Sequence, residues 1–484
     1  MRLFLGVGRR QRFACKCLGG DLERAAISAF AAIRNTDFKR RAPCAIAVIL
    51  FAAISALSSA AQDLPRVPGA QVQDISPKPG FFTEPSVAIN PVNPQNVAAA
   101  YQDNAHVAYS YDAGKSWTIA DNTASKDYRV SGDVSITYDA KGYAYLCYIA
   151  FDKLGTMNYW AHNATRNGIF VRRSPDGGKT WDDNEYIVAN QPTAPGIPFE
   201  DKPYIVADNT KSRYAGTLYV GWTRWTIADS QILLSASRDQ GKAWSTPIEI
   251  DNHRGLPRDD NGANEGFSGV VGADGTLYAV WGDGAHILMT LSRDGGRSFS
   301  KVREIIDTAP IMFDVRGVER SNGFPVIDMD RKSGRLYVVW SDYRNGGVDA
   351  FSSTSTDGGA KWSPAARVNS DPLHNGTDHF FQWLAVDQAT GAANVIFYDR
   401  RVDPQDLNST IVLARSSDGG NSFTNYAWTD TPFDPGGVFM GDYTGLAANA
   451  GRIYGVWTEK PDPKSHNTVV RVGIADFGTL AGKN

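Results

Sequence analysis

Two short stretches gather the side chains best suited to chemistry. SDYRNGG, from Ser341, sets Asp342, Tyr343 and Arg344 side by side, and YDRRVDP, from Tyr398, does the same with Asp399, Arg400 and Arg401. Arginine forks suit bidentate binding of a carboxylate or sulfate, and paired carboxyl groups suit acid/base work on a glycosidic bond. Asp133, Arg224, Glu319 and Arg320 are further charged residues in turn-rich segments. The expectation is a site with Asp342, Tyr343, Asp399, Glu319 and Asp133 as catalytic candidates, and Arg224, Arg320, Arg344, Arg400 and Arg401 as substrate-binding ones. Each also has a plainer reading, because charged residues at strand ends pair with one another and with leftover backbone groups. Other chemistries lack their signatures: the seven histidines show no HxH or HExxH spacing, and there is no Cys cluster, GxSxG elbow or P-loop.

The elements that must position these residues are written as a repeat. SYDAGKSW (110–117), SPDGGKTW (174–181), SRDQGKAW (237–244), SRDGGRSF (292–299), STDGGAKW (355–362) and SSDGGNSF (416–423) share Ser-x-Asp-x-Gly-x-x-Trp/Phe and start 55 to 64 residues apart. Such a period belongs to repeat architectures. Asp at the third position can bond the amides that follow it, Gly at the fifth permits positive φ at a hairpin reversal, and the aromatic residue opens the next strand. Asp112, Asp176, Asp239, Asp294, Asp357 and Asp418 are therefore assigned a structural role.

Short Val/Ile/Tyr/Trp-rich runs separated by Gly/Asp/Asn turns fill the rest of each unit, which is an all-β pattern. The first two strands recur seven times, from EPSVAIN/VAAAYQD to GDYTGLAAN/RIYGVWTE, and the seventh unit ends with a third strand and no octet. Residues 70–76 have the rhythm of an outer strand and can supply the missing fourth, which would remove two exposed edges. This predicts a β-propeller of four-stranded antiparallel blades, seven in number with six as the alternative, closed by an N-terminal strand. In such a ring the blade-linking loops and the loops between second and third strands share one face, and the octet turns lie on the other. A site there is assembled from single residues of different blades, so no contiguous motif need exist.

The octets resemble the Asp boxes of sialidases and other BNR-repeat proteins, over about residues 64 to 478. The resemblance implies an exported sialidase-like glycoside hydrolase acting on an acidic or complex glycan at the propeller mouth. Sialidases of this kind carry a first-blade arginine motif; the comparable place here reads FFTEPSV, with Thr83 and Glu84 in it, so no first-blade arginine carries over. The alternative is a non-catalytic propeller that binds a glycan or a protein with the same face.

Composition narrows the partners. Residues 1–41 hold ten Lys/Arg and three Asp/Glu, leaving 39 basic and 49 acidic residues beyond them. That acidic balance argues against nucleic acid. Lys39, Arg40 and Arg41 precede an uncharged run from Ala42 to Leu57, with Ser59, Ala60 and Ala61 as a small-residue cleavage site. Residues 1–61 thus read as a leader with an export signal and residues 62–484 as one propeller domain. After cleavage the expectation is an exported monomer, free of the membrane, with a glycan or glycoconjugate as partner. No cofactor is indicated; an acidic ring of Asp133, Asp201 and Asp442 would have the oxygen ligands that suit calcium. Cys147, alone beyond the leader, alternates with core residues in AYLCYIA and reads as a buried thiol.

Overall fold

The computed structural model describes residues 64–152, 166–192 and 198–478. The leader and most of the WAHNATRNG loop lie outside the described residues. Within them the structure is all-β, with seven four-stranded antiparallel sheets and one two-stranded hairpin, and no helix is long and apolar enough to cross a membrane. Six blades are continuous in sequence, at residues 83–119, 130–191, 199–249, 265–307, 326–367 and 379–427. Blade 7 takes three strands from residues 445–476 and its fourth, Gln71–Asp74, from the other end of the chain. That strand pairs antiparallel with Val469–Asp476, Gln71 facing Ile474 and Asp74 facing Arg471. Seven blades and N-terminal closure are thus both present.

The blades pack face to face through the alternate side chains their strands present. Val456, Val472 and Ile474 of blade 7 meet Val87, Val97 and Tyr101 of blade 1 around Ile75 and Phe82. Trp222, Trp281, Trp340 and Trp457 each end a second strand fully buried. Cys147 is a free, fully buried thiol in the same kind of layer.

The octets hold the third and fourth strands together. In all six, the Ser hydroxyl donates to the Asp carboxylate at 2.8–2.9 Å and accepts the Gly amide at 2.8–3.0 Å. The same carboxylate accepts the amide four residues on. Every fifth-position Gly has a φ between 78° and 103°, which only glycine adopts without cost. The hydrogen bond from Ser116 leads those that hold the Asp112 carboxyl down at about 2. Octets also join blades: Asn96 Nδ2 and the Tyr138 hydroxyl both donate to the Gly177 carbonyl at 2.9 Å.

The first strand of each blade lines the axis, where it contacts the first strands of its neighbours. Part of the axis is filled, where Tyr204, Phe267, Phe324, Phe381, Trp383 and Tyr443 leave about 40 Å³ among them; elsewhere the first strands of blades 2 to 7 surround about 250 Å³.

Candidate functional site

A recurring irregularity prepares the mouth. In blades 1, 2, 3, 4 and 6 the pairing of first and second strands slips where the first strand begins, at Thr83/Ser86, Gly132/Ser135, Asp201/Tyr204, Glu265/Ser268 and Phe380/Trp383. Two residues there oppose one, and the first of the two has positive φ: Glu84 53°, Asp133 44°, Lys202 50°, Gly266 77° and Phe381 52°. A bulge of this kind breaks alternation and re-aims a side chain. A left-handed non-glycine residue costs about 1–3 kcal/mol, sustained by its surroundings. Glu84, Asp133 and Lys202 are therefore structural equivalents on three consecutive blades.

They meet residues brought by longer loops. Asp259 comes from the linker between blades 3 and 4, and Glu265 from the start of blade 4. Arg320 comes from the loop closed by the hairpin of Met312–Phe313 with Ser321–Asn322, and Asp442 from the linker between blades 6 and 7. Arg320 Nε donates to Asp442 Oδ1 at 2.8 Å, and its NH1 to Asp259 Oδ2 at 3.1 Å. Lys202 Nζ donates to Asp442 Oδ2 at 3.2 Å and lies over the rings of Phe324 and Tyr443 at 4.5 and 5.3 Å. Glu84 accepts the Asp442 amide at 3.1 Å. Blades 1 and 3 and three linkers are thereby tied across the mouth, around a pocket of about 300 Å³.

The electrostatics follow from crowding six carboxyl groups with two cations. Burial and then the Asp442 charge push Glu84 up to about 7. Burial and then Glu84 push Asp133 up to about 7, and burial and then Asp133 push Asp201 up to about 8. Glu265 is raised well above its usual range by burial and by Asp259. Asp442 goes the other way: burial would raise it, but Arg320 and Lys202 outweigh that and hold it at about 2. The Asp133 carboxyl lies against those of both Asp201 and Glu84. A charge on one disfavours ionisation of the next. Trp225 Nε1 fixes the outer end on Asp201 at 2.8 Å. Three buried oxygens at the pocket, Glu84 Oε2, Asp259 Oδ1 and Glu265 Oε2, have no hydrogen-bond partner.

The sequence candidates separate into three groups. Asp133 and Arg320 are in this cluster. Glu319 and Tyr343 are exposed and line an adjoining cleft of about 620 Å³ that also reaches Arg320. The others are tied within the wall, which differs from the expected arginine-lined mouth. Asp342 is fully buried; it accepts Trp340 Nε1 at 2.9 Å and Arg344 Nε at 2.8 Å. Arg401 Nε donates to both oxygens of buried Asp399 at 2.9 and 2.8 Å. Arg224 is paired at 2.9 Å with buried Glu200, which also receives Trp222 Nε1. Arg400 is wholly buried, donating to the Asp406 carbonyl at 2.9 Å and to Ser409 Oγ at 3.2 Å. The cause is local: Asp342 and Asp399 each end a strand, and each carboxylate accepts the amide of the residue two on in the turn that follows, which brings the Arg344 and Arg401 side chains back onto them before any ligand.

Lys202 and Asp259 were not among the sequence candidates. Lys202 hides in EDKPYI behind the more conspicuous acids, and Asp259 in PRDDNGANEG, a polar loop readable as a mere insertion. Of Asp133, Asp201 and Asp442, the acids expected to suit calcium, Asp442 is engaged by Lys202 and Arg320. Among the described residues the group whose ligand atoms converge as a metal would require is Asp349, Asp371 and His379, between blades 5 and 6. There Arg367 already bonds both carboxylates, at 2.8 and 2.9 Å, so the group has the donor set of an ion-pair network.

The fold and mouth define a seven-bladed β-propeller with a cluster of buried carboxyl groups at its mouth. No protein-family model matches this sequence, and no curated protein does. Solved structures resemble it distantly. A Hadza microbial sialidase is 15% identical, with 79% of this chain and 74% of that one covered and a TM-score of 0.47. An ulvan-cleaving polysaccharide lyase is 12% identical (82% and 94% covered, TM-score 0.47). An α-L-arabinofuranosidase of Fusarium graminearum is also 12% identical (72% and 93% covered, TM-score 0.46). At this level of likeness nothing passes from them to this chain.

Proposed function

We propose that this protein is an exported, single-chain glycoside hydrolase whose active site is the propeller mouth, with Asp133 as general acid. The observation that carries this reading is one pocket holding carboxyl groups on both sides of neutrality: Asp133 and Asp201 raised to about 7 and 8, Asp442 lowered to about 2. Environments that push carboxyl pKa values apart are how acid and base roles are divided at neutral pH. Asp133 keeps a proton to give to the glycosidic oxygen, and Asp201, beside it and likewise raised, replenishes it. Asp259 supplies the base toward the attacking water: burial raises its carboxyl, but Arg320 on one of its oxygens works against that, and the other oxygen is buried without a partner. Asp442 anchors Arg320 and Lys202. With both mouth cations paired to carboxylates, a neutral or basic sugar suits the pocket better than a uronate or sialate.

The second reading, a non-catalytic glycan-binding propeller, draws on the pairing of Arg224, Arg344 and Arg401 with carboxylates of their own blades. A panel of fluorogenic glycosides separates the two. Turnover that falls about 10²-fold or more in both Asp133→Asn and Asp259→Asn, the usual scale for general acid–base groups, supports hydrolysis. No turnover by folded wild-type protein on any donor supports binding alone.

A further inference from the structure

The mouth pocket does not end at the acid cluster. Arg320, held from below by Asp442 and Asp259, lines both that pocket and the wider cleft beside it. Each carries an exposed aromatic residue: Phe81, 68% exposed, at the first, and Tyr343, 43% exposed, at the second. Phe81 stands where blades 7 and 1 meet, beside Thr468, and Tyr343 stands between the second and third strands of blade 5. Neither ring belongs to the buried interblade layers that take up most large apolar side chains in this fold. Two exposed rings in neighbouring clefts that share Arg320, whose guanidinium lies over the Phe439 ring at 5.0 Å, suit a ligand that has alternating apolar faces and hydroxyl edges along its length.

We infer that the ligand is an extended, non-acidic glycan chain lying over Arg320 from Phe81 to Tyr343, cleaved within the chain rather than at its end. The inference rests on the hydrolase reading for cleavage but on the two joined clefts for length. The mouth pocket alone, at about 300 Å³, is at the small end for a ligand site, whereas the adjoining cleft adds about 620 Å³. Charge selects the chain type. The second cleft adds Asp260, Asp314, Glu319 and Asp378 and no cation besides Arg320, so a polyuronate would face like charge along its whole length. Tyr343 is then a substrate-positioning residue.

The experiment is calorimetric titration of Asp133→Asn protein, which retains the groove, with neutral β-linked oligosaccharides of one to eight units, β-linked amino-sugar oligomers and oligouronates. Affinity should rise with length over several units for a neutral or amino-sugar series. Phe81→Ala and Tyr343→Ala should each weaken the longest oligomer about tenfold and leave the monosaccharide unchanged. Circular dichroism of the two variants, both at exposed positions, checks that the ring is intact. Affinity independent of length, equal losses for short and long ligands, or preference for oligouronates would overturn the inference. Its failure is separable from that of the hydrolase reading. Length-dependent binding without wild-type cleavage removes the enzyme and keeps the groove, while turnover of single-residue glycosides without length dependence does the reverse.

Discussion

Ring closure can be weighed through one side chain. Ile75 follows the N-terminal strand, is 2% exposed, and packs with Phe82, Val87 and Tyr101 of the blade 1 side and Val470, Val472 and Ile474 of blade 7. Its amide donates to the Val470 carbonyl at 3.0 Å, and its carbonyl accepts the Tyr101 hydroxyl at 2.9 Å. Substitution to alanine keeps both backbone bonds and removes only the apolar contact. Ile→Ala in a close-packed site costs about 2–5 kcal/mol, the transfer of the lost methyl groups plus the cavity they leave. Because Tyr101 and Phe82 are held by an edge-to-face contact at 5.5 Å, the site collapses little, and we expect about 3 kcal/mol within that range. Val72, on the same strand but 37% exposed, is the control: Val72→Ala should cost about 0.5 kcal/mol or less, as surface substitutions do. The assay is urea denaturation followed by tryptophan fluorescence, reading the midpoint at constant slope. If Ile75→Ala and Val72→Ala are indistinguishable, the N-terminal strand does not close the ring in solution, and the argument from the paired strand fails.

Two further outcomes follow from the buried charges. Glu84 is raised from its ordinary 4.5 to about 7, so the folded state holds a proton there that the unfolded chain has released, and its contribution to stability is lost as pH rises from about 4.5 to about 7. Glu84→Gln removes that dependence, so the variant should gain on wild type by on the order of 3 kcal/mol between pH 4 and pH 8; urea midpoints at both pH values check this, and an unchanged gap refutes it. Arg344→Ala leaves buried Asp342 without its guanidinium, which should cost about 3–5 kcal/mol with no change in KM for any substrate found, whereas a KM effect at unchanged stability would restore Arg344 to the binding site.

The fold was legible because its signals are local and repeated. Turn residues in the octets and strand alternation in seven paired runs specify a blade without reference to anything distant, and residues 70–76 stood out because the seventh unit lacked a strand. The mouth was legible only in outline. Loop sorting brought Asp133 and Arg320 to the right face, but a bulge is a register slip between two strands, and neither strand announces it alone; hence Lys202, the equivalent of Glu84 and Asp133, passed unnoticed. The pairs Asp342/Arg344 and Asp399/Arg401 misled for the opposite reason. Their i, i+2 spacing reads as concentrated chemistry, yet the same spacing is what lets each aspartate cap the turn after its strand and hold the arginine two residues on. The repeated Trp-x-acid at Trp340/Asp342 and Trp457/Glu459 was the available hint that these acids already had donors.

The clasp between Gln71–Asp74 and Val469–Asp476 also fixes an order of events. Gln71–Asp74 is made long before Val469–Asp476, so in the interval the strand has no mate and blade 1 has no neighbour on one side. Any chain interrupted before Val469 keeps two open strand edges, the kind of surface that recruits other chains. The final closing contact spans almost the full sequence and is therefore the slowest to find. Closure thus depends on one clasp: losing residues 71–74 or 469–476 leaves blade 7 incomplete, while an insertion in a loop between blades leaves that pairing in place.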